Sequence, residues 1–289
     1  MVQKGRAVAH GAVTIVNAIS CGLGAALGVR LKTEAEVRLT NEPGRIVGRI
    51  LSDPEESTVL IERVVNRVLE HFNLKSEYGA YVETISDIPI ARGLKSSSVA
   101  ANAIALATVS ALGENLDDII IVNLGVDAAI DAKVTITGAF DDACASYFGD
   151  IVITDNTSRK VLRRIRAEDY KVLIYVPPEK SYTAKSDVER MKLIAKEVTS
   201  VHKMALRGDY WQAMTINGLL YSAVLGYDTS IAMEALSSGA VASGLSGKGP
   251  AIASIVPEDK VDDVRTVLRR RSGEIIETEI NHEKSHILM

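Results

Sequence analysis

PIARGLKSSSVAANAIALA, residues Pro89 to Ala107, joins a glycine turn, three consecutive serine hydroxyls and a long run of small apolar residues. Gly93 permits a tight turn, and Ser96, Ser97 and Ser98 fall where the apolar run predicts a helix start. Unpaired backbone N–H groups and the positive end of the helix dipole would converge there on an anion. The Ala-rich continuation predicts a closely packed helix. Serine is also a common N-cap, so the stretch alone fits an ordinary helix start equally well. It is not a Walker loop: around Gly247-Lys248 the pattern is broken by Ala242 and Gly249. A Rossmann fingerprint fails as well, because Gly22 and Gly24 are followed by Leu27 where the third glycine belongs.

The chain has 289 residues, 47% of them hydrophobic, enough for one large domain or two of ordinary size. A net charge of −4 built from an even mixture of signs argues against a nucleic-acid surface, and one tryptophan with three phenylalanines leaves little for base stacking. Cys21 and Cys144 lie far apart without ligand spacing, so reduced thiols are expected rather than a zinc site. His10 and Asn17 interrupt the N-terminal apolar run, and no uninterrupted apolar stretch suits a membrane span. A cytoplasmic protein is expected, without membrane or nucleic-acid partners, as a monomer or homodimer.

Working outward, Ala7–Ala18 reads as a strand followed by the glycine-punctuated CGLGAALGV, and EAEVRLT and RIVGRIL read as a hairpin about the turn NEPG. TVLIERVVNRVLEHF has helical periodicity with Glu62, Arg63, Asn66 and Arg67 outward, and YVETISDIP is a strand delivering the chain to the serine loop. DDIIIVNLGVDAAIDAK predicts a helix opened by Asp117 and Asp118; VTITGAFDDACASYFGD predicts a strand, turn and short helix. GDIVITDN and KVLRRIRA suggest a strand pair. A second unit begins after Arg166: a strand, three helices, the strand–loop–strand AVASGLSGKGPAIASIVP, a helix over Asp259–Arg271 and a final strand GEIIETEI. The order fits an α+β sandwich divided into residues 1–166 and 167–289.

Two further segments carry chemistry. SGLSGKGPAIASIV, from Ser243, sets Gly244, Gly247, Lys248 and Gly249 between apolar strands, either as a plain turn or to press N–H groups on a phosphate chain. TGAFDDA, from Thr137, sets Asp141 beside Asp142 after a glycine turn. One of the two is expected to cap the helix, leaving the other as a base or metal ligand.

The order Ala-x-Gly strand, P-x-x-x-G-L-x-S-S-S, G-x-x-D and late glycine hairpin resembles the GHMP kinase superfamily over nearly the whole chain. The resemblance implies an N-terminal domain like domain 2 of ribosomal protein S5 and a ferredoxin-like C-terminal domain. It implies ATP and Mg²⁺ as cofactors, with ATP held by Pro89, Ile90, Ala91, Arg92, Gly93, Leu94, Lys95, Ser96, Ser97, Ser98, Gly244, Gly247, Lys248 and Gly249. It further implies Asp141 as the catalytic residue, Ser97 and Asp131 at the metal, and Arg6, His10, Gly11, Thr14 and Asp142 near the acceptor.

Two departures stand out. Lys95 replaces the second glycine of the phosphate loop, and Ala12 replaces the lysine that many members pair with the aspartate, leaving Lys95 or Lys248 to assist Asp141. G-L-K-S-S-S-V-A-A-N-A and T-G-A-F-D-D-A look most like the archaeal-type shikimate kinases. That implies ATP-dependent phosphorylation of shikimate to 3-phosphoshikimate, on the way to chorismate and the aromatic amino acids, with a cation such as Arg6, Arg92 or Lys133 meeting the acceptor carboxylate. The alternatives are another small-alcohol kinase of the superfamily, homoserine kinase first, or a non-catalytic nucleotide-binding relative.

Overall fold

A computed structural model describes residues 3–90, 92–178 and 188–288. Its organising element is β2 (Leu23–Thr40), antiparallel along one edge to β1 (Lys4–Val16). On its other edge β2 serves two partners: Thr33–Thr40 pair with β4 (Gly79–Ser86), and Leu23–Leu27 pair with β5 (Ile151–Asp155). β5 continues to β6 (Lys160–Ile165). CGLGAALGV therefore belongs largely to a strand. With both edges of β2 occupied, the expected hairpin does not form. β3 (Ile46–Ile50) instead pairs parallel with β4, and α1 (Val59–His71) makes the crossover that a parallel pair requires.

The serine stretch becomes α2 (Ser96–Leu112), buried around nearly its whole circumference between β1 and β2 on one side and α1 and α3 (Asp118–Asp131) on the other. Its small residues permit close approach: a Cβ at Gly5 of β1 would lie 2.1 Å from the Ala107 carbonyl oxygen. α4 (Phe140–Phe148) follows without the strand predicted over Val134–Ile136, which is a loop.

The second sheet is built from β7 (Lys171–Val176), β8 (Ala242–Leu245), β9 (Ile252–Val256) and β10 (Glu274–Glu279), in the order β10-β7-β9-β8. Among the described residues between β7 and β8 lie α5 (Val188–Lys192), α6 (Ala195–Arg207), α7 (Tyr210–Leu225) and α8 (Ser230–Ser237), against three helices predicted from the sequence. α9 (Val261–Leu268) precedes β10. This is the ferredoxin-like βαββαβ arrangement. After β10 the chain crosses back, and β11 (His286–Ile287), unforeseen in the sequence, pairs with β1.

α7 also touches β1, and polar contacts there fix the end of that strand. The Asn17 N–H donates to Asn217 Oδ1 at 3.0 Å, and the buried Tyr221 hydroxyl donates to the Asn17 carbonyl at 3.0 Å.

Candidate active site

Four segments meet around one cleft of about 810 Å³, counting space open to solvent: the end of β1, the loop entering α2, the loop entering α4, and the β8–β9 turn. α2 begins after Lys95, whose φ of +64° places it in the left-handed region, and no side chain caps the helix. Helical bonding starts at Val99, whose N–H donates to the Lys95 carbonyl at 3.1 Å. The N–H groups of the first turn therefore lack helical acceptors, and no acidic residue lies in that turn to neutralise them.

The glycine preceding α2 allows two loops to touch. Gly93 has φ +82°, and a Cβ on it would fall 2.3 Å from the Ser246 carbonyl oxygen. The Ser246 hydroxyl donates to the Gly93 carbonyl at 2.9 Å. Gly247 is clasped from the far end of the chain: its N–H donates to Thr14 Oγ1, and its carbonyl accepts from Asn17 Nδ2, both at 2.8 Å. The Gly249 N–H is spent on the Ser246 carbonyl at 2.9 Å. Two N–H groups expected to face phosphate thus hold the turn in place instead. What the turn presents to the cleft is Lys248. Among the described residues its buried Nζ has no hydrogen-bond partner, and burial, helped by the charge of Lys95, pushes its pKa down to about 8.

At the mouth of α4, Ala139 takes the cap position with φ +49°, and neither aspartate caps the helix. Asp141 is buried; its Oδ1 accepts from Asn156 Nδ2 at 2.8 Å, and a Cβ at Gly24 would sit 2.5 Å from its Oδ2. Burial first, then the charge of Asp142, raises the Asp141 carboxyl to about 7, against the opposing pull of Lys95 and the Asn156 amide. That is the range of a general base working near neutrality. Asp142 Oδ2 pairs with Lys95 Nζ at 2.9 Å, with both side chains nearly buried. The two aspartates divide as neighbouring helix residues do, one held beside β2 and the other turned to the cation. Asn102 of α2 fixes the two helices together, its Nδ2 donating to the Ala143 carbonyl at 2.9 Å and to Ser146 Oγ at 3.2 Å.

The cleft gathers Gly93, Leu94, Lys95, Ser96, Ser97, Ser98, Asp141, Asp142, Gly247, Lys248 and Gly249. Other predicted residues fall elsewhere. Pro89, Ile90 and Arg92 line an adjoining hollow with Val176, Pro177 and Gly273, and Arg92 donates to the Pro177 carbonyl at 2.6 Å. Ala91 lies outside the described residues. Gly244 is a packing glycine, since a Cβ there would meet the Met214 carbonyl oxygen at 2.8 Å. Asp131 is ion-paired with Arg67 at 2.7 Å and does not line the cleft, nor does Lys133.

Arg6 pairs with Glu34 and Glu36, buried His10 stacks near His286, and Gly11 makes room for Val29 and Leu31. These three precede the end of β1 by too much: at about 3.3 Å per residue, His10 is roughly 20 Å from Val16. Thr14 reaches the site through the β8–β9 turn, accepting from the Gly247 N–H and donating its own N–H to Ser246 Oγ at 3.4 Å. Asn17, Thr135, Ile136 and Thr137 line the cleft without having been predicted to, and Asn156 and Gly24 sit behind Asp141. A polar residue ending each of two apolar strands was the available signal for Asn17 and Asn156.

Residues 59–150 match the family described as GHMP kinases N terminal domain. Over 284 residues the chain is 47% identical to the shikimate kinase of Methanosarcina mazei, covering 98% of this chain and 96% of that protein. The chain belongs to the GHMP kinases, in their archaeal shikimate kinase branch. A second shikimate kinase, from Methanothermobacter thermautotrophicus, is 40% identical over 100% of this chain and 99% of its own. Among solved structures, a homoserine kinase from Cytophaga hutchinsonii superposes with TM-score 0.78, covering 99% of this chain and 98% of its own at 16% identity. A Methanococcus jannaschii mevalonate kinase gives 0.74, with 97% and 98% covered at 19% identity. These two share the fold. As a GHMP kinase the chain is an ATP-dependent phosphotransferase acting on an alcohol group of a small molecule. Among the described residues no helix is long and apolar enough to cross a membrane, and no cluster of three or more His, Cys, Asp or Glu is arranged for a metal.

Proposed function

We propose that this kinase phosphorylates a ring hydroxyl of shikimate to give 3-phosphoshikimate, working in the cytoplasm with Asp141 as its base. The observation that carries the chemistry is a buried carboxylate with a pKa raised to about 7, opening on the same cleft as an uncapped helix N-terminus. The substrate assignment rests on identity to named shikimate kinases along the full chain.

The residues fit a nucleotide triphosphate. Lys248 offers a buried ammonium without a hydrogen-bond partner among the described residues, Lys95 brings a second cation, and the first turn of α2 offers N–H donors without helical acceptors. ATP, when bound with Mg²⁺, supplies the phosphoryl group and leaves as ADP. Ser97 lines the cleft and would give Mg²⁺ one oxygen, phosphate and water giving most of the others, which suits an ion that keeps several waters. Asp141 accepts the proton of the acceptor hydroxyl, and the Asp142 carboxylate holds Lys95 at the floor of the cleft. Lys95 and Lys248 offset developing negative charge, so positioning and electrostatics do most of the work. Residues 1–166 and 167–289 each supply part of the wall, and one chain carries every group named.

A coupled ADP-release assay with shikimate, homoserine and mevalonate tests the substrate. Turnover with shikimate alone is expected. Turnover with homoserine and not shikimate overturns the assignment, and ATP binding with no ADP release for any acceptor makes the protein a non-catalytic relative.

A further inference from the structure

Behind Asp141 lies a short polar chain that the sequence motifs do not contain. Asn156 follows the end of β5 and is 8% exposed, Thr154 within β5 is fully buried, and both face the carboxylate side of α4. Thr154 Oγ1 donates to Asn156 Oδ1 at 2.6 Å, and Asn156 Nδ2 donates to Asp141 Oδ1 at 2.8 Å. The hydroxyl bond matters because an amide can flip. With its oxygen held by Thr154, Asn156 presents only N–H to the aspartate; flipped, it would set an oxygen against a carboxylate. A third residue braces the chain from α6: buried His202 Nε2 lies 3.2 Å from the Thr154 carbonyl, tying the strand that carries Thr154 and Asn156 to the C-terminal half of the molecule.

We infer that Thr154 and Asn156 form a positioning relay that fixes the rotamer of Asp141 and favours its ionised form. The relay rests on the reading of Asp141 as the base and adds to it two residues that never touch substrate. Gly24 completes the setting from the opposite side, since any side chain there would overlap the carboxylate. The titratable and charged groups facing Asp141 are Asp142 and Cys144 on its own helix, Lys95 from the glycine loop and Tyr221 from α7. Of these only Lys95 favours the charged carboxylate, so the Asn156 amide is one of few groups doing so.

The test compares Asn156→Leu, Thr154→Val and Thr154→Ser with the wild-type chain in full pH–rate profiles, with circular dichroism and thermal melts for folding. Asn156→Leu is expected to lower kcat by about tenfold or more, to leave KM for ATP within about twofold, and to move the acid limb of kcat/KM to higher pH. Thr154→Val is expected to show the same signature more weakly, and Thr154→Ser to restore it by keeping the hydroxyl. If Asn156→Leu does not fold, the Val/Ser pair at 154 reads the same relay. Wild-type kcat and an unmoved acid limb in Asn156→Leu overturn the proposal, as does a kcat loss with an unmoved limb. An Asp141→Asn control separates the two layers. An inactive control beside a wild-type-like Asn156→Leu removes the relay and leaves the base, whereas a fully active control removes both. In the Asp141→Asn background, Asn156→Leu should cause no further loss.

Discussion

Replacing Asp141 by Asn should make the protein more stable and less active, with the stability gain depending on pH. The Asp141 carboxyl is raised from 3.8 in the unfolded chain to about 7 in the fold, chiefly by burial. Between those values the folded state keeps a proton that the unfolded state has released, so stability falls as pH rises through the window. At 1.36 kcal/mol per pH unit, the penalty for this one group comes to about 4 kcal/mol at pH 8 and about 2 kcal/mol at pH 5. Asparagine carries no such penalty and can still accept the Asn156 bond through its carbonyl oxygen. The advantage of Asp141→Asn over wild type should therefore grow by about 2–3 kcal/mol between pH 5 and pH 8, or roughly 5 °C in Tm for a chain of this size. Turnover should fall by a factor of about 10² or more, with nucleotide binding nearly unchanged. Melts of both proteins at half-unit pH steps, with ADP release at pH 8, measure both effects. A Tm difference that does not change with pH, or a mutant less stable than wild type at pH 8, refutes the burial argument, and wild-type turnover refutes the role.

Four further substitutions separate residues that the motifs group together. Lys248 has a pKa of about 8 in the free protein, so an anion arriving beside it should draw in a proton. Calorimetric titration with ATP at pH 8 in buffers of different ionisation enthalpy should show net proton uptake, and Lys248→Met should abolish it and weaken binding by about tenfold or more. Gly93→Ala forces a side chain into the left-handed region and against the Ser246 carbonyl, whereas Gly244→Ala collides with the Met214 carbonyl under β8. Both should lower Tm, but the residual folded fraction should lose ATP affinity only in Gly93→Ala. Asp131→Asn breaks only the partly exposed pair with Arg67, so it should change stability by less than about 1 kcal/mol and leave the Mg²⁺ dependence of turnover unaltered.

The parts of the site legible in the sequence were those whose chemistry is local. Gly93 and the serines announce a turn and a helix start within a few residues, and α2 and the βαββαβ half follow from apolar patterning. Features set by distant partners were not legible. Nothing near Lys95 reveals that Asp142 receives its charge, and nothing near Asn156 points to Asp141. The expected β2–β3 hairpin failed because strand pairing depends on which edges other strands have already taken. Arg6, His10 and Gly11 were grouped with the site through sequence proximity to its motif, although an extended strand carries successive residues steadily away from one another.

The clasp between Thr14, Asn17 and Gly247 joins groups 230 and 233 residues apart in the chain. Contacts of such span raise the contact order of a fold, and their loop-closure cost is met before they repay it. Most helices and strands of each half can form while this junction is still open, so on dilution from denaturant the far-ultraviolet signal should return ahead of catalytic competence. The two halves would be assembled first and joined at this clasp afterwards, with activity the last property to appear.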